Sequence, residues 1–194
     1  MVQTSQVSDD SNARRILEGQ LRECYGRTVY SHKTHEKCSD ILQERHSNIK
    51  LWQIILSAIT TGSFISTFLG AGNIGTAIGV VISTTLLVLN AYTKNNDLGE
   101  LAQKHKQAAN GIWLIREKYL SLLTDLAIGA KPIEDIIQER DLLLEGLHAA
   151  YTGSPSTNFN AYKKAQEALQ LNEDLTFSDK EIDAFLPQEL KRTS

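Results

Sequence analysis

The chain has 194 residues and a formal net charge of −3 at pH 7, from 20 Lys and Arg against 23 Asp and Glu. This length is enough for one domain or one membrane unit. The charge is too close to neutral to give the basic surface that nucleic-acid binding requires, so no direct nucleic-acid partner is expected. All of the Lys, Arg, Asp and Glu residues lie outside one internal stretch, and the rest of the interpretation depends on that asymmetry.

The N-terminal part of the chain predicts a polar tail followed by a long helix. Residues 1–10 are polar, contain no signal-peptide core and are predicted to be disordered. Residues 11–50 lack proline and space their apolar or small groups by three and four, which predicts one long cytosolic helix that runs up to the next segment or continues into it. Those positions are Leu17, Leu21, Cys24, Thr28, Ser31, His35, Cys38 and Leu42. Cys24 and Cys38 would lie about 21 Å apart along such a helix, so both are expected to be free thiols.

The next segment carries no charge at all. Residues 51–93 contain no Asp, Glu, Lys, Arg, His or Pro. Within it, 51–69 and 76–93 are apolar blocks of helix length, each about 27 to 28 Å long at 1.5 Å per residue. A bilayer core is about 30 Å thick. The sequence therefore predicts an all-α protein with a two-helix transmembrane hairpin flanked by long cytosolic helices.

The residues at the middle and at the two ends of this hairpin predict its turn and its membrane topology. The turn is placed at the glycine-rich junction, at Gly70, Gly72 and Gly75. Lys50 and Lys94 border the hairpin and the turn is uncharged, so the positive-inside rule predicts cytoplasmic termini. The same glycines match the dinucleotide fingerprint G-x-G-x-x-G, with the preceding FISTFL as a possible strand. That alternative is disfavoured because no further strand–helix units follow.

A second long cytosolic helix is predicted over residues 94–131. Its apolar seam repeats the spacing of the first helix, and the two seams are expected to face each other as a coiled pair. The positions are Leu98, Leu101, His105, Ala108, Ile112, Ile115, Tyr119, Leu122 and Leu126. Asp97 with Glu100 predicts a capping box that restarts a helix there. A helix continuous with the second membrane segment is the alternative.

Residues 132–194 are predicted to form a small C-terminal helical cap. Gly129 is expected to end the preceding helix and Pro132 to lie in the first turn of the next. Ser178 with Glu181 predicts a capping box at the start of the last helix. The sequence shows no alternating strand pattern, which supports the all-α prediction.

Small and hydroxyl residues recur inside the hairpin. Such residues serve either close helix packing or a hydrated lumen formed by several copies, and the sequence leaves both alternatives open. In the second segment they fall within about 60° of one another on a helical wheel. The predicted pore or packing face consists of Ser57, Thr60, Ser63, Thr67, Thr76, Gly79, Ser83 and Asn90.

Catalytic and metal-binding patterns are missing from the sequence. It contains no Ser/His/Asp constellation, P-loop or H-E-x-x-H motif, so no enzymatic activity, catalytic residue or cofactor is predicted. His32, His35 and Cys38 follow one helix at steps of three and would need a further ligand to hold a metal. Burial in the helix seam is the preferred interpretation, and no metal is predicted.

Three blocks of the chain, in order, resemble the SLATT family. They are RTVYSHKTHEKCSDIL before the hairpin, HKQAANGIWLIREKYLSLLTDL after it, and YTGSPSTNFNAYKKAQEALQLNEDLTFSDKEIDAFLP near the C-terminus. The resemblance covers residues 27–190. It implies a two-helix membrane hairpin between cytosolic helices. The third block resembles a branch of the family found beside reverse transcriptases.

The resemblance also implies a function. It implies a membrane effector of bacterial anti-phage defence, multi-pass in the bacterial inner membrane, that oligomerises into a pore and permeabilises or depolarises that membrane. The implied partners are membrane lipid, further copies of the chain, and a reverse transcriptase or nucleotide-signalling enzyme as the trigger. The alternatives are a non-conducting, membrane-anchored adaptor for a partner enzyme and a soluble nucleotide-binding enzyme.

Overall fold

The computed structural model describes residues 2–68, 72–172, 175, 177–187 and 191–192, with side chains described from 11 to 65 and from 75 onward within those ranges. This described part contains no strand, and the all-α prediction is confirmed. Its helices are α1 (Val2–Phe68), α2 (Gly72–Asn95), α3 (Leu98–Ile128), α4 (Ile133–Thr152), α5 (Phe159–Gln170) and α6 (Asp179–Phe185).

The chain divides into two compact units. The first unit comprises Met1–Lys37 and Ala108–Ser194, and the second unit comprises Cys38–Gln107. Helices α1 and α3 each contribute residues to both units. The two units differ in what they bury, and each is described separately below.

Helix α1 is longer than the sequence predicted. It already begins at Val2, whereas disorder was predicted for residues 1–10, and Met1 lies outside the described residues. The physical reason is that residues 2–18 contain neither Gly nor Pro, so no strong helix breaker stops the helix there. The helix also continues past Lys50, where the sequence marked the end of the cytosolic segment, and it reaches Phe68.

The first unit has an apolar core between α1, α3 and α4. Leu21, Tyr119 and Ile136 have no exposed surface there. The core consists of Leu17, Leu21, Cys24, Ile115, Tyr119, Leu122, Leu126 and Ile136. All but the last belong to the two predicted seams, so the faces that the spacing identified in α1 and α3 meet in this unit. Helix α5 buries a face of small residues, Ala161, Ala165 and Ala168.

Helix α3 restarts after a break instead of continuing α2. The Asp97 side chain accepts the backbone N–H of Glu100 at 2.8 Å, which is the N-cap half of the predicted capping box. The Glu100 carboxylate pairs with Lys104 at 2.7 Å. The predicted seam is also displaced near this restart: Leu101 is exposed, whereas Ala102 is buried. The single helix predicted over 94–131 is therefore the end of α2 and the whole of α3.

Helix α3 ends as predicted at Gly129. This glycine has a φ of 69°, in the left-handed region that side-chain-bearing residues avoid. Its N–H donates to the carbonyl of Leu126 at 3.3 Å, and the N–H of Ala130 donates to the carbonyl of Asp125 at 2.9 Å. This pair of hydrogen bonds is a Schellman motif. Pro132 lies at the N-cap of α4, one position before the predicted first turn.

The capping box predicted for the last helix is present. The Ser178 hydroxyl accepts the N–H of Glu181, and the Glu181 carboxylate accepts the N–H of Ser178 at 2.8 Å. The hydrogen bonds from the Ser178 side chain and backbone lower the pKa of Glu181. A lowered folded-state pKa stabilises the helix above the unfolded pKa, and this contribution is lost as the pH falls through the folded value.

Candidate functional site

Helices α1 and α2 pack antiparallel within the second unit. The Gln53 amide donates to Asn90 Oδ1 at 2.8 Å and to Thr93 Oγ1 at 3.3 Å. Further along, a Cβ placed on Gly79 would lie 3.3 Å from the Cβ of Ser63. Because the contacting residue numbers rise along α1 as they fall along α2, the two segments run in opposite directions.

The contact between these helices uses small and hydroxyl residues. Gly79 is buried, and Thr60 and Ser63 are half-buried. The Thr60 hydroxyl donates to the carbonyl of Leu56 at 2.8 Å, and that of Ser63 donates to the carbonyl of Ile59 at 3.0 Å. Hydrogen bonds to the helix's own backbone satisfy these groups without water. The helix contact therefore remains compatible with a surrounding solvent that offers no hydrogen bonds.

The outside of the same pair is uncharged and mostly apolar, although it also exposes hydroxyl and amide side chains. Many large apolar side chains in this segment are more than half exposed, and no charged residue occurs over 51–93. They are Leu51, Trp52, Ile54, Phe64, Ile65, Val80, Val81, Leu87, Val88 and Tyr92. Soluble surfaces rarely expose so much apolar area, which marks a contact with a membrane or a partner. Polar and small groups inside with apolar groups outside are typical of helices packed in lipid.

The hydropathy of the described helices agrees with this arrangement. On length and composition, the described residues contain one stretch able to cross a membrane, within Gly75–Ile128. Its 18-residue apolar window has a mean hydropathy of 1.6 and is only 6% buried. A core helix of a soluble protein would instead bury most of such a window.

The comparison with known families establishes the family of the chain. The chain matches the model of the SMODS and SLOG-associating 2TM effector domain family 4 over residues 17–181. The chain belongs to this family. The SLATT resemblance is thereby confirmed, and with it the class: a two-transmembrane effector domain of conflict systems, from a family not known for enzymes. No curated protein and no solved structure matches the chain.

In this SLATT chain, the eight predicted face residues fall into three groups. The buried or half-buried ones, at the helix contact, are Thr60, Ser63 and Gly79. The exposed ones are Ser57, Thr76, Ser83 and Asn90. The side chain of Thr67 lies outside the described residues. Exposure alone does not decide between the two alternatives, because exposed Asn90 accepts a hydrogen bond from Gln53 of α1. Packing and a lumen both stay predictions for these residues.

The glycine-rich junction differs from a nucleotide-binding loop. Gly72 and Gly75 belong to helix α2, and Gly70 lies outside the described residues. Residues 64–68, the possible strand of the dinucleotide fingerprint, are the end of α1. The strand–loop–helix context of that alternative is therefore contradicted. Residues 69–71, between α1 and α2, lie outside the described residues.

Two histidines of α1, His32 and His35, are buried in the first unit. His32 Nδ1 lies 3.4 Å from Arg116 Nη1, and His32 Nε2 lies 3.9 Å from Glu36 Oε1. His35 and Cys38 are also buried, and neither Cys24 nor Cys38 forms a disulfide. Among the described residues, no three His, Cys, Asp or Glu side chains are grouped to hold a metal.

The first unit also contains a cavity that the sequence did not predict. Its volume is about 750 Å³, and it lies between α1, the loop after α4, and α5. Tyr30 and Tyr162 stack in its wall with ring centroids 5.9 Å apart, and Gln170 donates to the Tyr30 hydroxyl at 2.6 Å. Arg27 in the same wall pairs with Glu23 at 2.9 Å. The wall joins residues more than 100 positions apart, so no local sequence pattern could have identified it.

Proposed function

We propose that the chain inserts residues 51–93, within its second unit, into the bacterial inner membrane as a helical hairpin and, when triggered, assembles into a pore that permeabilises or depolarises the membrane. The observation that supports this proposal most strongly is the uncharged, apolar exterior of the α1–α2 pair. Burying apolar surface is favourable by about 25 cal/mol per Å². A bilayer supplies that burial without disturbing the small-residue contact between the helices.

The proposed topology places both termini in the cytoplasm. Gln53 and Asn90 bond to each other, so the nearby Lys50 and Lys94 mark the same end of the pair. Two lysines at one end and none at the junction agree with the positive-inside rule. The first unit, with its charged surface, would then lie in the cytoplasm, where a partner can reach it.

The proposed lumen is the exposed polar stripe of α2. Thr76, Ser83 and Asn90 repeat at steps of seven, which keeps them within about 40° of one another at 100° per residue. Exposed Val80 and Leu87 lie close to the same stripe, so the lumen would be only partly polar. Hydrophobic constrictions of this kind gate channels by dewetting. One α1–α2 pair supplies only one wall of such a lumen, so several copies of the chain would be needed to enclose water.

The proposed trigger is a molecule that reaches the first unit. The name of the family, SMODS and SLOG-associating 2TM effector domain family 4, supports activation by a companion protein. The cavity of about 750 Å³, with its tyrosine pair, offers such a molecule a preformed place to bind. A reverse transcriptase or a nucleotide-signalling enzyme is the proposed companion.

The pore is tested by potassium efflux from cells that express the full chain together with its companion system. Ser83→Leu fills the proposed lumen and is expected to lower the flux at least tenfold. Val81→Leu is the matched control, because Val81 is exposed but lies about 160° from Ser83 around the helix. Both variants should stay in membranes after alkaline carbonate extraction. Equal flux in Ser83→Leu and the native chain would reject this lumen.

A second experiment separates the pore from the non-conducting adaptor. Residues 51–93 are replaced by an unrelated pair of apolar helices of equal length, and growth arrest is measured in cells that express the companion system. An adaptor needs only an anchor and should still arrest growth. A pore needs its own lining and should lose the effect. Retained arrest would therefore favour the adaptor.

A further inference from the structure

A cavity of about 260 Å³ lies between α1 and α2 at the end of the pair where charge resumes. Its lining residues are His46, Ile49, Lys50 and Gln53 on α1, Asn90, Thr93 and Lys94 on α2, and Asp97 after α2. It is several times larger than the about 30 Å³ that one water occupies in the liquid. The cavity thus has room for a polar group larger than water.

Two aromatic residues independently indicate the level in the membrane at which this cavity lies. Trp52 and Tyr92 follow and precede the two lysines by two positions, and both rings are more than half exposed. Trp and Tyr concentrate at the level of lipid headgroups, where an apolar ring and a polar edge are both satisfied. The cavity therefore opens at the level of lipid phosphates if the pair spans the membrane as proposed.

The lining of the cavity suits an anion. Lys50 and Lys94 supply two positive charges, and the Gln53 amide and Thr93 hydroxyl supply further polar atoms. The opposing charge is Asp97, whose carboxylate also lines the cavity and accepts the N–H of Glu100 at 2.8 Å as the cap of α3. Two cations against one carboxylate leave the cavity with a positive balance.

We propose that this cavity binds the phosphate of an acidic phospholipid from the cytoplasmic leaflet. The inference rests on the proposed membrane insertion. Basic pockets between transmembrane helices on the cytoplasmic side bind anionic headgroups. A lipid fits better than free phosphate, because exposed Leu51, Trp52 and Tyr92 beside the cavity provide contacts for its apolar part.

The test measures lipid bound to the purified full chain in detergent by native mass spectrometry. Phosphatidylglycerol is expected to bind in preference to phosphatidylcholine. The double variant Lys50→Gln and Lys94→Gln should weaken phosphatidylglycerol binding by roughly tenfold or more. Lys163→Gln with Lys164→Gln is the matched control: it removes the same charge from exposed positions on α5 and should change nothing.

A variant that is expected to bind the lipid more tightly excludes misfolding as the explanation for weaker binding in the lysine variants. Asp97→Asn removes the opposing charge, yet Asn is as good an N-cap as Asp. It should increase phosphatidylglycerol binding severalfold. Equal binding of the two lipids, or no effect of the lysine and Asp97 variants, would overturn the proposal. Displacement of the lipid by millimolar inorganic phosphate would equally reject the lipid assignment in favour of a free-phosphate site.

Carbonate extraction separates this inference from the function on which it rests. If the native chain stays in membranes but shows no lipid preference, the headgroup site is rejected and the membrane effector is not. If carbonate releases the native chain, the membrane proposal is rejected, and the headgroup site is rejected with it.

Discussion

The two units of this chain bury opposite kinds of side chain. In the first unit, Leu21 has no exposed surface and packs in an apolar core. In the second unit, Leu87 is 68% exposed, whereas Gly79 is buried against Ser63. Burial of apolar groups drives folding only in water. The exposure of Leu87 is what the proposed membrane location of residues 51–93 predicts for this part of the second unit.

Helix α1 shows the same difference between its two parts. It passes from the first unit into the second without a break in its helix. Its regular backbone suits both environments, because an α-helix satisfies its own N–H and C=O groups in water and in lipid alike. The side chains alone change at Lys50, after which no charge occurs until Lys94.

The strongest test of this comparison makes the same substitution in each unit. Leu21→Ala empties a fully buried site and should lower the free energy of unfolding by about 2–5 kcal/mol. Leu87→Ala removes an equal side chain that contacts no protein core, and it should change membrane insertion by only a few tenths of a kcal/mol. Denaturant unfolding of the full chain in detergent measures both variants, and carbonate extraction checks that Leu87→Ala stays in membranes. Equal losses of unfolding free energy would mean that the second unit also has a water-excluding core around Leu87.

A charge in the apolar exterior tests which solvent meets the second unit. Val81→Lys puts a cation near the middle of α2 and should oppose membrane insertion by about 2.5–3.5 kcal/mol. Ile16→Lys is the control in the first unit, because Ile16 is 64% exposed there. Carbonate extraction should release the first variant and leave the second unaffected. Full retention of Val81→Lys would place Val81 in contact with water.

The contact between α1 and α2 is tested by enlarging its glycine. A Cβ at Gly79 would already lie 3.3 Å from the Cβ of Ser63, so Gly79→Leu should force the helices apart at a cost of about 1–3 kcal/mol. Gly62→Leu is the control, since nothing lies within 4 Å of a Cβ at that position. Thermal unfolding in detergent should show the lower midpoint only for Gly79→Leu. The same midpoint for both would show that Gly79 does not hold the pair together.

Much of this fold was predictable from local patterns. The alternating spacings identified the faces of α1 and α3 that meet in the first unit, because a helix must bury its apolar stripe. The caps at Asp97, Gly129 and Ser178 were also predictable, since each depends on residues within three or four positions. The prediction for residues 1–10 differed from the structure because polar composition alone does not exclude a helix.

The candidate site was less predictable than the fold. Spacing placed Gly79, Ser83 and Asn90 on one side of α2, but burial separates Gly79 from the other two. That separation depends on how α1 packs against α2, and a helical wheel of α2 alone carries no information about α1. The two cavities escaped prediction for the same reason, because their walls join residues that are distant in the chain.

The smallest expected effect concerns a polar atom in the apolar core. In the described part of the chain, the Tyr119 hydroxyl is buried without a hydrogen-bond partner, whereas Ser63 in the second unit bonds to its own helix. Burial, and then the neighbouring Cys24 thiol, raise the pKa of Tyr119. An unsatisfied buried hydroxyl costs stability, so Tyr119→Phe should raise the free energy of unfolding by about 1 kcal/mol. Tyr30→Phe, the control, loses the bond from Gln170 and should lower it. If Tyr119→Phe lowered it too, the hydroxyl would have a real partner in the Cys24 thiol, and the core of the first unit would not be wholly apolar.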